Sequence, residues 1–475
     1  MVGWLGRRFS AVVLAATVAL APGAGQSESL TDALILAYKH SQLLEQNRAL
    51  LRATDEDVAT AIAALRPTIN FVASSNFSVT HSASPTAPAF AQNLSTSAQL
   101  TYEITIFDFG RSRLAVEAAK ETVLATRAAL VDLEQQVLFS AVQAYLNVLS
   151  AFETVSVRQN NVRVITEELR AARDRFEVGE VTRTDVSIAE ARLAGARAQL
   201  ASAQGDLMIA REAYKAAVGR YPGTLFRPPS PPMTVNTEAA AKAVAERGHP
   251  RILQAQHQVT TAELNVARAE AAMKPRLSGS LSTGVTSSDR LDTFGSASSS
   301  LTLGAGVSLS APIYQGGALS ASLRRAIAQR DAARAGLLQT MLQVSQNVGN
   351  AWAQLAVAQA SLQSSVQQVR AAQLAYDGVR EEARLGARTT LDVLDAEQEL
   401  LDAKVSAITA ETSRYIAVYG VLSAMGLLTV EHLGLGIATY DPAAYYETVK
   451  DAPVRHVSPQ GEKLDRVLER LFKDE

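Results

Sequence analysis

Gly386-Ala-Arg-Thr-Thr-Leu-Asp-Val-Leu-Asp-Ala396 has an earlier counterpart in Gly179-Glu-Val-Thr-Arg-Thr-Asp-Val186. Gly179 and Gly386, Asp185 and Asp392, and Glu190 and Glu397 are each separated by 207 residues. Tyr145 and Trp352 keep that offset far upstream, and Pro67 and Pro275 nearly keep it. One plan is therefore written twice, and an internal repeat takes precedence over local assignments. The copies occupy residues 26–222 and 237–426, joined by a proline-rich linker at 223–236 and followed by a tail at 427–475.

Upstream of each glycine the chain lacks proline over a long stretch: none lies between Pro88 and Pro222, nor between Pro312 and Pro442. The spacing predicts one long helix over about 113–176 and its twin over about 321–385, with return helices at about 184–219 and 389–426. Apolar or small residues at Leu130, Leu133, Val137, Ala141, Ala144, Val148, Ala151 and Val155 step by three and four, which is a coiled-coil period. Each copy opens with a shorter helical stretch, the first running from 29 to 65 and stopping at Arg66-Pro67.

Between the shorter and longer helices the period changes to two. Ile69, Phe71, Phe77 and Val79 alternate with Asn70, Ser78 and Thr80, and Leu100, Tyr102, Ile104 and Ile106 alternate with Thr101, Glu103 and Thr105. The second copy repeats this with Leu277, Leu281 and Val285, then Leu301, Leu303, Val307 and Leu309. Hairpins are predicted at about 67–107 and 275–311. A soluble half-buried sheet would alternate in the same way. These runs, however, reach the length of about ten residues that a tilted membrane-crossing strand needs, and globular strands average about half that. Odd-numbered Ile69, Phe71, Leu301 and Leu303 are expected to face lipid. Four strands cannot close a membrane barrel, for which about eight are the minimum, so the chain must pool strands with copies of itself.

A chain of 475 residues with 45 Lys+Arg against 47 Asp+Glu carries no basic footprint for nucleic acid. It has no cysteine, which excludes disulfides, thiolate metal sites and a lipid-modified N-terminal cysteine. Residues 1–25 read as a cleaved secretory signal: Arg7 and Arg8, an apolar run from Ala11 to Leu20, and small residues up to Gly25. Beyond it no apolar run is long enough for a membrane-spanning helix.

Signal, two strand hairpins, two very long helices and the duplicated turn together resemble the TolC family of trimeric outer membrane efflux channels. The most specific pieces are Tyr314-Gln-Gly-Gly317 and the Gly386–Ala396 stretch, and the resemblance covers nearly all of residues 28–428. It implies an internally duplicated α+β membrane protein whose four strands per chain enter a trimeric twelve-stranded outer membrane barrel, continued by a long periplasmic α-helical coiled-coil barrel. It implies a Gram-negative outer membrane location, a homotrimer, a periplasmic adaptor and an inner membrane transporter as partners, no cofactor and no catalysis. The cargo would be drugs, small toxic compounds or, as in type I secretion, polypeptides. A structural periplasmic coiled-coil or adaptor protein is the alternative, and the four amphipathic strands count against it.

By the same resemblance Arg388 bonds Thr184 and Asp185 of a neighbouring helix pair as a periplasmic gate, and the tips at Gly179 and Gly386 dock the adaptor. The family's best-known pattern has a tyrosine five residues before this arginine; here that position is Ala383. Asp392 and Asp395 lie three apart on one helix face. As a plain pair they are a solvated surface or, less simply, a general acid and base, but no histidine, nucleophile or metal constellation supports catalysis. Around a threefold axis they would form a constriction where like charges raise one another's pKa and attract divalent cations. The six histidines have no zinc spacing and read as surface residues.

Overall fold

The computed structural model describes residues 27–81, 90–229, 235–291, 297–454 and 466. The signal region, the loop with Pro85 and Pro88 and, apart from Arg466, the stretch Lys463–Phe472, whose pattern predicts a short amphipathic helix, lie outside the described residues.

The first copy runs β1 (Ser27–Glu28), α1 (Leu30–His40), α2 (Gln42–Ala63), β2 (Thr68–His81), β3 (Phe90–Phe107), α3 (Arg111–Glu177) and α4 (Arg183–Val218). After β4 (Thr224–Leu225) the second copy runs α5 (Glu238–Gly248), α6 (Pro250–Ala271), β5 (Arg276–Arg290), β6 (Ser298–Ser310), α7 (Ala318–Arg384) and α8 (Thr390–Ala424), and α9 (Pro442–Val449) lies in the tail. The twins α3 and α7 have 67 residues each, a length of about 100 Å at 1.5 Å per residue. The stretch read as one helix over 29–65 is two. Ser41 leaves helical geometry with ψ 106° and its hydroxyl accepts from the Leu44 N–H at 3.3 Å, so it starts a new helix where the old one ends.

The larger sheet is antiparallel in the order β2-β3-β5-β6, with strands of 14, 18, 15 and 13 residues. Its register gathers the alternation of separate strands into rows. Phe71 pairs with Leu100, Leu100 with Thr283 and Thr283 with Leu303, and the next row joins Ala73, Ala98, Val285 and Leu301. The opposite face carries Asn70, Thr101, Ser282 and Gly304, then Ser74, Ser97, Thr286 and Ser300. Ile69, Phe71, Leu301 and Leu303 thus share one face. On that face Leu303 is 84% and Leu301 76% exposed, so nothing among the described residues covers it. Gly279 leaves room for Ile104 and Ile106 to lie across it; a Cβ there would meet Ile106 Cδ1 at 3.2 Å. Among the described residues β2 and β6 each have one unpaired edge.

The largest core lies between the sheet and the helical tips, where α1, α3, α4, α8 and the tail converge on Tyr145, Tyr214, Leu138 and Leu428. Residues read as linker contribute to it, because Thr224–Leu225 pair in parallel with Ser27–Glu28. Glu28 is 2% exposed, yet its carboxylate accepts from Tyr214 Oη at 2.7 Å, Arg220 Nη2 at 3.0 Å and the Gly223 N–H at 3.3 Å. The Tyr145 hydroxyl meets the Glu28 carbonyl at 2.9 Å. Such a set of donors offsets much of the cost of burying a carboxylate.

The tail straps α2. Tyr445 donates to Glu56 Oε1 at 2.7 Å and Arg66 Nη1 to the Ala452 carbonyl at 2.6 Å, while Tyr445, Val449 and Ala452 pack on Ala59. Beneath the strap Asp55 is fully buried, and neither of its oxygens meets a hydrogen-bond donor among the described residues. Burial pushes its pKa up to about 6, with Arg127 opposing the shift.

Two outcomes follow from this packing. Leu303→Arg is expected to weaken assembly by about 2–4 kcal/mol if the site lies at mid-bilayer, whereas Thr302→Arg, on the polar face, should assemble normally in a folding assay in lipid vesicles. Equal tolerance at the two sites would reverse the sidedness. For Asp55, the folded state holds its proton more tightly than the unfolded chain, so stability falls as pH rises from about 4 to about 6 and stays lowered above that. Asp55→Asn should raise stability at pH 7.5 by roughly 2–3 kcal/mol and lose that advantage near pH 4, as read by thermal unfolding in detergent.

Candidate functional site

Both long helices end the same way. Gly179 and Gly386 take φ of 80° and 77°, a left-handed conformation in which other residues are strained. In the first copy Glu180 N–H reaches the Arg175 carbonyl at 2.9 Å and Gly179 N–H the Phe176 carbonyl at 3.0 Å. In the second, Ala387 N–H bonds Glu382 at 2.9 Å and Gly386 N–H bonds Ala383 at 3.1 Å. This is the Schellman arrangement, which uses up carbonyls the helix end would leave unpaired.

Three residues after each glycine the next helix begins. Thr182 Oγ1 lies 3.3 Å from the Asp185 N–H, and Asp185 Oδ2 accepts from Thr182 N–H at 2.9 Å and from its hydroxyl at 2.8 Å. Thr389 and Asp392 repeat the exchange at 3.3, 2.9 and 2.8 Å. Each is a capping box, in which threonine and acid satisfy each other's backbone donors. The hydrogen bonds from Thr182 and Thr389, backbone ones foremost, hold the Asp185 and Asp392 carboxyls below the ordinary carboxylate range. Within one protomer Asp392 is thus shifted opposite to the direction expected of crowded carboxylates. Thr182 and Thr389 carry a signal of their own in the sequence, since a threonine followed three residues later by an acid is the mark of a capping box.

Of the expected gate residues, Thr184 stands exposed in the first turn of α4. Arg388 and Asp185 line one open cleft of about 710 Å³ between the two tips, with Arg175, Glu180 and Arg384. Inside the protomer Arg388 Nε pairs with Glu382 Oε2 at 2.8 Å. Asp395 reaches across from α8 to α4, where Arg192 Nη2 lies 2.5 Å from its Oδ1. Beside it Leu394 enters the first hairpin's core with Ile165, Leu169, Ala189 and Leu193. Ala383 lies in the α7–α8 core with Tyr376 and Val393 and borders the cleft between the tips, where its methyl group can make no hydrogen bond.

One histidine departs from the surface expectation. His249 is 6% exposed and caps α6, its Nδ1 accepting from the Arg251 N–H at 3.2 Å. Gly426 packs so tightly on it that a Cβ would lie 3.1 Å from His249 Cα, and burial lowers the imidazole's pKa.

A duplicated strand-hairpin and long-helix plan, with one uncovered apolar sheet face, matches one known family. The family described as outer membrane efflux protein matches residues 34–220 and 243–427, one segment per copy. The chain belongs to this family. It is 36% identical over 447 residues to the outer membrane efflux protein BepC of Brucella suis biovar 1 (strain 1330), covering 93% of this chain and 94% of that protein. It is 29% identical over 353 residues to the outer membrane protein TolC of Escherichia coli (strain K12), covering 71% of each. The crystal structure of the Campylobacter jejuni CmeC outer membrane channel superposes with a TM-score of 0.72 at 18% identity, covering 90% of both chains, and shows the shared fold. This efflux protein is accordingly an outer membrane channel component of a Gram-negative bacterium, from a family of channels rather than enzymes.

Proposed function

We propose that three copies of this efflux protein close one twelve-stranded barrel and continue it as a helical tube, forming an export duct. The single observation that carries this reading is the open four-stranded sheet, apolar on one face and polar on the other, with unpaired edges at β2 and β6. In hydrocarbon each unsatisfied backbone group costs several kcal/mol, and pairing β6 of one copy with β2 of the next removes both edges. The polar rows of serine and threonine would then line the lumen. The cargo is drugs, small toxic compounds or secreted polypeptides, handed over by an inner membrane transporter through a periplasmic adaptor that docks at the tips carrying Gly179 and Gly386.

The tips would form the periplasmic gate. In this reading Arg388 exchanges its contact with Glu382 for Asp185 and Thr184 of a neighbouring copy when the tube shuts, the planar guanidinium suiting a carboxylate in either place. Asp392 Oδ1 makes no hydrogen bond among the described residues, so the oxygen spared by capping is available to the axis. With Asp395 it would give a ring that prefers cations and is blocked by divalent ones.

Conductance across planar bilayers tests this reading. Arg388→Ala and Asp185→Asn should each raise resting conductance on the order of tenfold, since three copies act together, and the double variant should add little. Resting conductance equal to wild type in both would place the closure elsewhere. Asp392→Asn combined with Asp395→Asn keeps the helix capped but should lower cation preference and divalent block; unchanged selectivity would return both residues to an ordinary solvated face.

A further inference from the structure

The two copies treat one pair of residues differently. In the first hairpin Arg173 Nη2 of α3 binds Glu190 Oε1 of α4 at 2.5 Å, with both side chains about half exposed. Arg380 and Glu397 are the same two positions 207 residues later, on α7 and α8. There the pair is not formed. Glu397 is 8% exposed and faces the other hairpin, where Asn161 Nδ2 of α3 donates to its Oε1 at 3.3 Å. Asn161 is itself 2% exposed. Arg380 is exposed and holds no hydrogen bond or ion pair among the described residues.

This is a costly way to keep a carboxylate. A buried charge needs an opposite charge or several donors, and Glu397 has one neutral amide at long range. Glu168 on α3, Tyr376 and Arg380 on α7 and Lys404 on α8 are the other titratable groups around it. Burial raises its pKa, against the smaller opposing effects of Asn161, Lys404 and Arg380. The burial depends on α8 lying against the first hairpin through Leu394, and the Asp395–Arg192 pair spans the same junction. Glu397 lies five residues deeper than Asp392, or about 7.5 Å along the helix. Separation of the hairpins would bring water to the carboxylate and leave Arg380, across its own coiled coil, as the partner that its repeat twin already uses.

We propose that Glu397 is a positioning residue with two partners: Asn161 while the second hairpin is docked on the first, and Arg380 once it swings away into the conducting arrangement. The inference rests on the reading of the tips as a gate. It adds a neutral lock that holds the hairpins of one protomer together, distinct from the ionic contacts at the tip.

The test uses the full-length protein in planar bilayers, with trimer assembly checked for each variant by native electrophoresis. Asn161→Leu removes the docked partner and should raise resting conductance by roughly threefold to tenfold. Arg380→Gln removes the undocked partner and should lower conductance by a similar factor. Glu397→Gln retains an acceptor for Asn161 but cannot form the ion pair, so it should match Arg380→Gln. Protonation has the same effect as Glu397→Gln, so the difference between wild type and that variant should shrink as pH falls through the titration of Glu397, which burial raises above the ordinary carboxylate range. Because the chain has no cysteine, R192C with D395C can be joined specifically across the junction by a short, reducible bis-maleimide crosslinker, which should hold conductance low until a reductant is added. Opposite signs at positions 161 and 380 are what a merely structural contact would not produce. Changes of the same sign, or wild-type conductance in all variants, would overturn the switch. A wild-type protein that forms no channel would instead remove the duct reading on which it rests.

Discussion

A strand in hydrocarbon has no water to satisfy its outer edge, and that constraint governs this molecule. The chain supplies one sheet of four strands whose first and last members are open. Strands of 13 to 18 residues exceed the 9–11 that a crossing requires, so they would stand beyond the membrane and meet the helices outside it. The duplication suits this geometry. Each copy contributes one hairpin and one pair of helices below it, and three chains supply enough strands for closure without any chain having to form a whole barrel.

At the far end of the molecule the local problem is to turn a helix 67 residues long sharply back on itself. The chain solves it with a glycine in left-handed geometry, then a threonine–aspartate capping box, and does so identically in both copies. Much of the motif that looks like a functional signature is therefore helix-stop and helix-start chemistry. Asp185 and Asp392 serve the backbone first; a cap of this kind contributes about 1 kcal/mol. Any part in a gate uses what the cap leaves over.

Between these ends the copies diverge where they touch. Leu394, Asp395 and Glu397 of α8 face the first hairpin, while Ser187 and Glu190, the repeat equivalents of Leu394 and Glu397, are exposed in their own copy. The middle core is likewise asymmetric. Glu28 and the two-residue strand at Thr224–Leu225 tie the start of the first copy to the segment between the copies, and the tail straps α2 while also meeting α1 and α3 of the same copy. Duplicated sequence thus supplies equivalent elements, and unequal neighbours give them different work.

Periodicity along the chain carried most of the architecture: the 207-residue offset, the switch from period two to period three-and-a-half, and the absence of proline between Pro88 and Pro222. Such features depend only on neighbours in sequence, since a strand's faces and a helix's stripe follow from backbone geometry. The break at Ser41 and the capping boxes were legible in principle for the same reason. Partner identity was not. That Asp395 meets Arg192, that Glu397 is buried against Asn161 and that Asp55 lies unpaired beneath the strap depend on residues tens to hundreds of positions away. A charged side chain reads the same in sequence whether water or protein surrounds it, because burial is a property of the packed chain as a whole.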